Sequence, residues 1–113
     1  MAFTVQVIVQ LKPRPDFYPE GRPTPEDVLL LIEVSEISAD YAREVKLPLY
    51  AGAGIAEVWI VGLEAQTIEV HAGLRRNAYQ KVTTARRAQT VVSQTVPDLS
   101  QASDDILGWP GLR

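Results

Sequence analysis

The sequence predicts a mixed α/β domain, a central sheet with one main helix packed on it, and three observations predict it. Residues 3–11, FTVQVIVQL, alternate as a half-buried strand does. Residues 27–35, DVLLLIEVS, are apolar on both alternations, as in a strand covered on both faces. Between them and a further apolar run, EVWIVG at 57–62, residues 38–52 carry apolar side chains at helical spacing.

In the first strand Phe3, Val5, Val7, Val9 and Leu11 fall on one face. Lys12 to Pro25 holds five prolines and a glycine, so 13–25 is expected as a loop whose Phe17 and Tyr18 cover an open end of the core. In the second strand Val28, Leu30, Ile32 and Val34 line one face, and Leu29, Leu31 and Glu33 share the other. Ser35 to Ser38 supply turn and cap chemistry, with Ser38 accepting a backbone N–H at the start of a helix that runs to about Gly52. Tyr41, Val45 and Leu49 recur at i, i+4 and i+8, with Leu47 and Tyr50 beside them, and this stripe is expected to pack on the sheet. Pro48 has no N–H to give the Glu44 carbonyl, which predicts a kink or a short 3₁₀ turn. Gly52 and Gly54 end the helix. After EVWIVG come a turn at 63–66, a strand at 67–71, a loop around Gly73, a strand near 79–84 and a short one near 90–92, a β-meander. A helical turn is expected at 103–107, favoured by Asp104 and Asp105 near its N-terminus, and 108–113 as a loose tail.

With 113 residues, 46% of them hydrophobic, one domain spanning 1–113 is expected, with a small core. No apolar run approaches the ~20 residues that span a bilayer, and the N-terminus lacks a secretory pattern, so a cytoplasmic protein without membrane contact is expected. The absence of cysteine excludes disulfides and thiolate zinc sites, and the single histidine, His71, excludes multi-histidine metal sites. Any metal would take oxygen ligands, which points to magnesium or manganese. His71 itself is expected at the surface, and Trp59 in the core.

Net charge is −3 but unevenly spread: residues 26–70 sum to −7, whereas 71–97 carry Arg75, Arg76, Lys81, Arg86 and Arg87 with no acid, +5. Those five cations are candidates for contacts with DNA phosphates; protection of a strand edge against aggregation is the other reading.

Glu33 stands alone as a carboxylate inside an apolar strand. A buried unpaired charge costs several kcal/mol, so Glu33 is expected to be paired, metal-bound or at the wet edge of a cleft. The words around it, IEVSEIS (32–38) and YAREVKLPLYAGAGIAEVWIV (41–61), resemble the Uma-two family of restriction-endonuclease-like proteins, a branch of the PD-(D/E)xK nucleases. The resemblance implies a restriction-endonuclease-like mixed β-sheet, and magnesium- or manganese-assisted phosphodiester hydrolysis of DNA by an activated water. It makes Glu33 a catalytic residue and metal ligand. Position 35, where the simple motif has lysine, is Ser35, and Lys46 matches a lysine that some members carry on the following helix. Lys46 suits that role better than Arg43, because arginine does not give up its proton.

Other positions depart from the pattern. The family's first acid falls at about Val7, and acids after the helix tyrosine and at the end of VWIV are replaced by Ala42 and Gly62. Asp40 points about 200° away from position 42 around a helix. Asp27 shares the face of Glu33 but lies about 20 Å along the strand, too far to share an ion. Weak or absent cleavage is therefore expected, and the rival reading is a non-catalytic binding or assembly module. Glu33 and Lys46 could equally form a structural ion pair between strand and helix. Family members usually carry further residues before the first strand, so the chain resembles a shortened copy, and self-association as a dimer is expected to cover the edge strand.

Overall fold

The computed structural model describes residues 5–11, 27–35, 39–96 and 98–108. A five-stranded mixed sheet is built from β1 (Val5–Leu11), β2 (Val28–Ser35), β3 (Val58–Gly62), β4 (Thr67–Arg75) and β5 (Ala78–Arg86), in that spatial order. Only β2 and β3 run parallel. Their connection is a helix, α1, formed by α-helical Ala39–Tyr41, π-helical Ala42–Lys46 and α-helical Leu47–Gly52. Parallel neighbours need such a crossover, whereas the antiparallel pairs β3–β4 and β4–β5 close through short turns. A separate two-stranded sheet, β6 (Thr90–Val92) with β7 (Ser100–Ala102), precedes α2 (Ser103–Leu107).

Over β2 and β3 the five-stranded sheet is covered on both faces, which explains the doubly apolar β2 and the fully buried β3, whereas β5 is largely exposed. One face packs Leu31, Val58 and Ile60 against Ala42, Leu47 and Tyr50 of α1. The other packs Leu30, Trp59, Val61, Ile68 and Val70 against Val91 and Leu107 from the β6–α2 region. Trp59 is core, as expected.

Four expectations are corrected. The stripe Tyr41, Val45 and Leu49 does not pack on the sheet: these side chains are 50%, 42% and 65% exposed. The π turn is the cause. Leu47 N–H reaches the carbonyl of Ala42, five residues back, and the extra residue brings Leu47, Tyr50 and Ala51 onto the sheet face in place of residues at i+4 spacing. This π turn, and not a 3₁₀ turn, accommodates Pro48, which falls in the first turn of the following α-helical stretch, where its missing N–H costs little. Gly73 lies within β4, not in a loop, taking φ +65° as a local break in a strand that continues to Arg75. Finally, Thr90–Val92 joins β7, a strand the alternation did not predict, and not the meander. The loop 13–25, the capping residue Ser38, Trp109 and the side chains of β1 lie outside the described residues.

A buried carboxylate fastens the second sheet to the first. Glu57 is 0% exposed and accepts hydrogen bonds from Trp59 Nε1 (2.7 Å), Ser93 Oγ (2.8 Å) and the backbone N–H groups of Gln94 (3.1 Å) and Thr95 (2.8 Å). Ser93 Oγ in turn accepts the N–H of Val96 at 2.9 Å, so the turn after β6 is organised around one anion.

A carboxylate row beneath a π turn

Strand register places one row across the sheet: Val7 opposite Glu33, Glu33 beside Ile60, Ile60 opposite Glu69, Glu69 opposite Thr84. Residues in register share a face, and Ile60 packs under α1, so Glu33 and Glu69 both point towards the helix. The π turn supplies a cation to each. Lys46 Nζ stands 3.7 Å from Glu33 Oε1, and Arg43 Nε lies 3.2 and 3.0 Å from the two oxygens of Glu69. Arg43 also donates to Asp40 at 2.6 Å. The sequence reading therefore brought together Glu33 and Lys46, and the structure does the same.

Glu33 is 1% exposed, and Tyr50 donates its hydroxyl to Oε1 at 2.7 Å. Burial, and after it the hydrogen bond and charge of Glu33, hold the Tyr50 hydroxyl well above the usual tyrosine range. Tyr79, which donates to the Ile55 carbonyl at 2.6 Å, is pushed up to about 12 by burial. His71 is not a surface residue. It is 5% exposed, with Nε2 3.0 Å from Glu69 Oε1 and its ring edge-on to Tyr79 at 6.3 Å. The two-residue period of β4 explains this: His71 sits opposite Val58 and follows Glu69 onto the covered face.

Sequence reasoning missed Tyr50 as a polar partner, and missed Glu57, Glu69 and His71. The available signal was Glu69 and His71 alternating with Ile68 and Val70. That pattern is equally consistent with a solvated face.

Magnesium or manganese asks for several oxygen ligands at about 2.0–2.2 Å, with two or more anionic groups in sites of this kind. Among the described residues no group of three or more His, Cys, Asp or Glu could hold an ion. The position opposite Glu33 is Val7, and Glu69 lies two strands away, about 10 Å at the usual strand spacing. The residues present do not fit the ion.

The five hairpin cations do not form one patch. Arg75 and Arg76 stand at the tip, where Arg76 and Asn77 make a two-residue turn with φ 54° and 62°. Arg86 ends β5 at the far end of the hairpin, and Lys81 donates to Gln94 Oε1 at 3.2 Å. Arg87 is bound inward, to Gln66 Oε1 at 2.9 Å and Asp104 Oδ1 at 3.3 Å.

A mixed sheet with a crossover helix, carrying a strand glutamate and a helix lysine on the enclosed face, defines a small α+β protein of the restriction-endonuclease-like class. The Uma2 family model, described as "Putative restriction endonuclease", matches residues 4–106, and the chain belongs to that family. No curated protein matches it.

Proposed function

We propose that the chain is a DNA-binding, nuclease-like member of its family that keeps half of a catalytic site and cleaves phosphodiester bonds weakly or not at all. The observation that carries this is the register of Val7 against Glu33: one carboxylate of an opposed pair is present, with Lys46 beside it, and its neighbour across the ladder is an alkyl side chain. In an active site of this kind Glu33 would hold magnesium or manganese and Lys46 would stabilise charge on the phosphate. A single carboxylate already engaged by Tyr50 and Lys46 supports little of that chemistry. The same register favours the second reading, a non-catalytic binding or assembly module.

Incubation of supercoiled plasmid with the protein and magnesium or manganese tests this, with a Glu33→Ala control. Equal, background nicking by both proteins is expected; metal-dependent cleavage that disappears in the variant would establish an endonuclease. Binding of duplex DNA, weakened by Arg75→Ala with Arg76→Ala, is expected whatever the nicking result.

The reading includes a cytoplasmic protein; among the described residues no helix is long and apolar enough to cross a membrane. It also includes a two-fold dimer, supported by the exposed Tyr41, Val45 and Leu49 and by β1 standing outermost in the sheet. Light scattering at micromolar concentration that returns 12.5 kDa would refute the dimer.

A further inference from the structure

We propose that this member of the family takes no divalent cation at Glu33, and that the Lys46 ammonium does there the neutralising work that a metal ion would do. This rests on the reading of Glu33 as the retained half of the family's site. A failure to bind DNA would leave it standing, because its test reads the metal alone.

The buried carboxylate is already compensated. Glu33 Oε1 receives the Tyr50 hydroxyl at 2.7 Å and has the Lys46 ammonium at 3.7 Å, while the residue is 1% exposed. A dication entering there would have to drive Lys46 out, or sit beside a positive charge in a poorly hydrated place. In exchange it would gain one carboxylate. Magnesium keeps near-ideal octahedral geometry and several waters, and a site with this little access to solvent provides few of them. Among the described residues the other carboxylate of the row, Glu69, is held by Arg43 and His71, and the residue across the ladder is Val7. Both cations come from the same π turn, so one local distortion of the helix neutralises both carboxylates of the row.

The converse follows from the ladder. Residues directly opposed on antiparallel strands have Cα atoms about 4.5–5.5 Å apart and project side chains to the same face. A carboxylate introduced at position 7 would therefore stand next to Glu33 and complete a two-anion site. The row would then offer a dication two carboxylates in place of one, enough to outweigh the Lys46 charge.

A manganese titration followed by nuclear magnetic resonance tests both halves. In the unaltered protein, manganese at about 1 mM should cause no selective broadening of the Lys46 and Tyr50 signals, and Glu33→Gln should titrate indistinguishably. Val7→Asp should bring selective broadening of those signals, abolished by adding Glu33→Gln. Selective broadening around Glu33 in the unaltered protein would overturn the proposal. So would a folded Val7→Asp protein, verified by circular dichroism, that gains no site. If Val7→Asp does not fold, the unaltered protein decides the question by itself.

Discussion

Glu57 has four donors around its carboxylate and no solvent contact, whereas Glu33, equally buried, has one hydroxyl and one ammonium at longer range. An ionised carboxylate offers about four acceptor positions, so Glu57 is saturated and structural, and Glu33 keeps unused capacity. Glu57→Ala strands the Trp59 N–H and the Ser93 hydroxyl in the core, frees two partly buried backbone N–H groups, and should lower stability by about 2–4 kcal/mol, read from urea denaturation. A loss below about 1 kcal/mol would mean that water replaces the carboxylate. The tyrosines give a second measurement. Tyr79, raised by burial from its ordinary 10.0 to about 12, stays protonated in the folded chain where unfolded tyrosine ionises. The stability it contributes is thus fully present below about pH 10 and is lost as pH rises towards 12. Tyr50 is raised too, by burial first and Glu33 second. Glu33→Gln should therefore lower the Tyr50 titration only part of the way to the ordinary value and leave that of Tyr79 in place, as followed by tyrosinate absorbance. An unmoved Tyr50 titration would show that the bond to Glu33 is absent in solution.

Within α1 the inward residues Ala42, Leu47 and Tyr50 are spaced by five and then three, a sequence that only the π turn can direct to one face. Deleting Glu44, which is exposed, would shorten the first interval to four and let a regular α-helix present the same three side chains to the sheet. Arg43 and Lys46 would then stand two apart, on different faces, and could not clamp both Glu69 and Glu33. The deletion should therefore fold, with stability changed by no more than about 2 kcal/mol, while the destabilisation caused by Lys46→Ala in the parent shrinks in the deleted background. A double-mutant cycle measures this, and an undiminished Lys46→Ala effect would sink it. The same turn marks the limit of what the sequence discloses. The strands were legible because apolar runs such as LLLIEV and VWIV admit few alternatives; Glu33 was legible because a charge inside such a run demands a partner, and Lys46 because the family resemblance implies a lysine on the following helix. The packing face of α1 was not, because two of its buried positions, Ala42 and Ala51, carry weak hydrophobic signal while Tyr41, Val45 and Leu49 mimic an α-helical stripe. Glu57 and Glu69 were missed because, apart from Trp59 and His71 two residues on, their partners lie 36–38 and 26 residues away, beyond any local spacing rule.

Across the whole molecule the net charge of −3 opposes DNA, so any affinity must come from cations that the protein has not already neutralised. Arg43 and Lys46 are spent on Glu69 and Glu33, and Arg87 on Asp104. Of the hairpin cations, Arg75, Arg76, Lys81 and Arg86 have no ion pair among the described residues. Each phosphate contact contributes about −0.9 to the slope of log K against log salt on duplex DNA, so engagement of the tip alone gives about −1.8, and of all four cations about −3.6. Fluorescence anisotropy over a salt series should find a slope between these limits, with weak binding at physiological ionic strength. Arg75→Ala with Arg76→Ala should make the slope shallower by about 1.8. Arg87→Ala should leave it unchanged while lowering stability, because that guanidinium ties the end of β5 to Gln66 and Asp104 and faces inward. A slope near zero would remove the hairpin as a nucleic-acid surface and leave edge protection as its role. A slope that falls with Arg87→Ala would instead show that the ion pair with Asp104 opens when DNA binds.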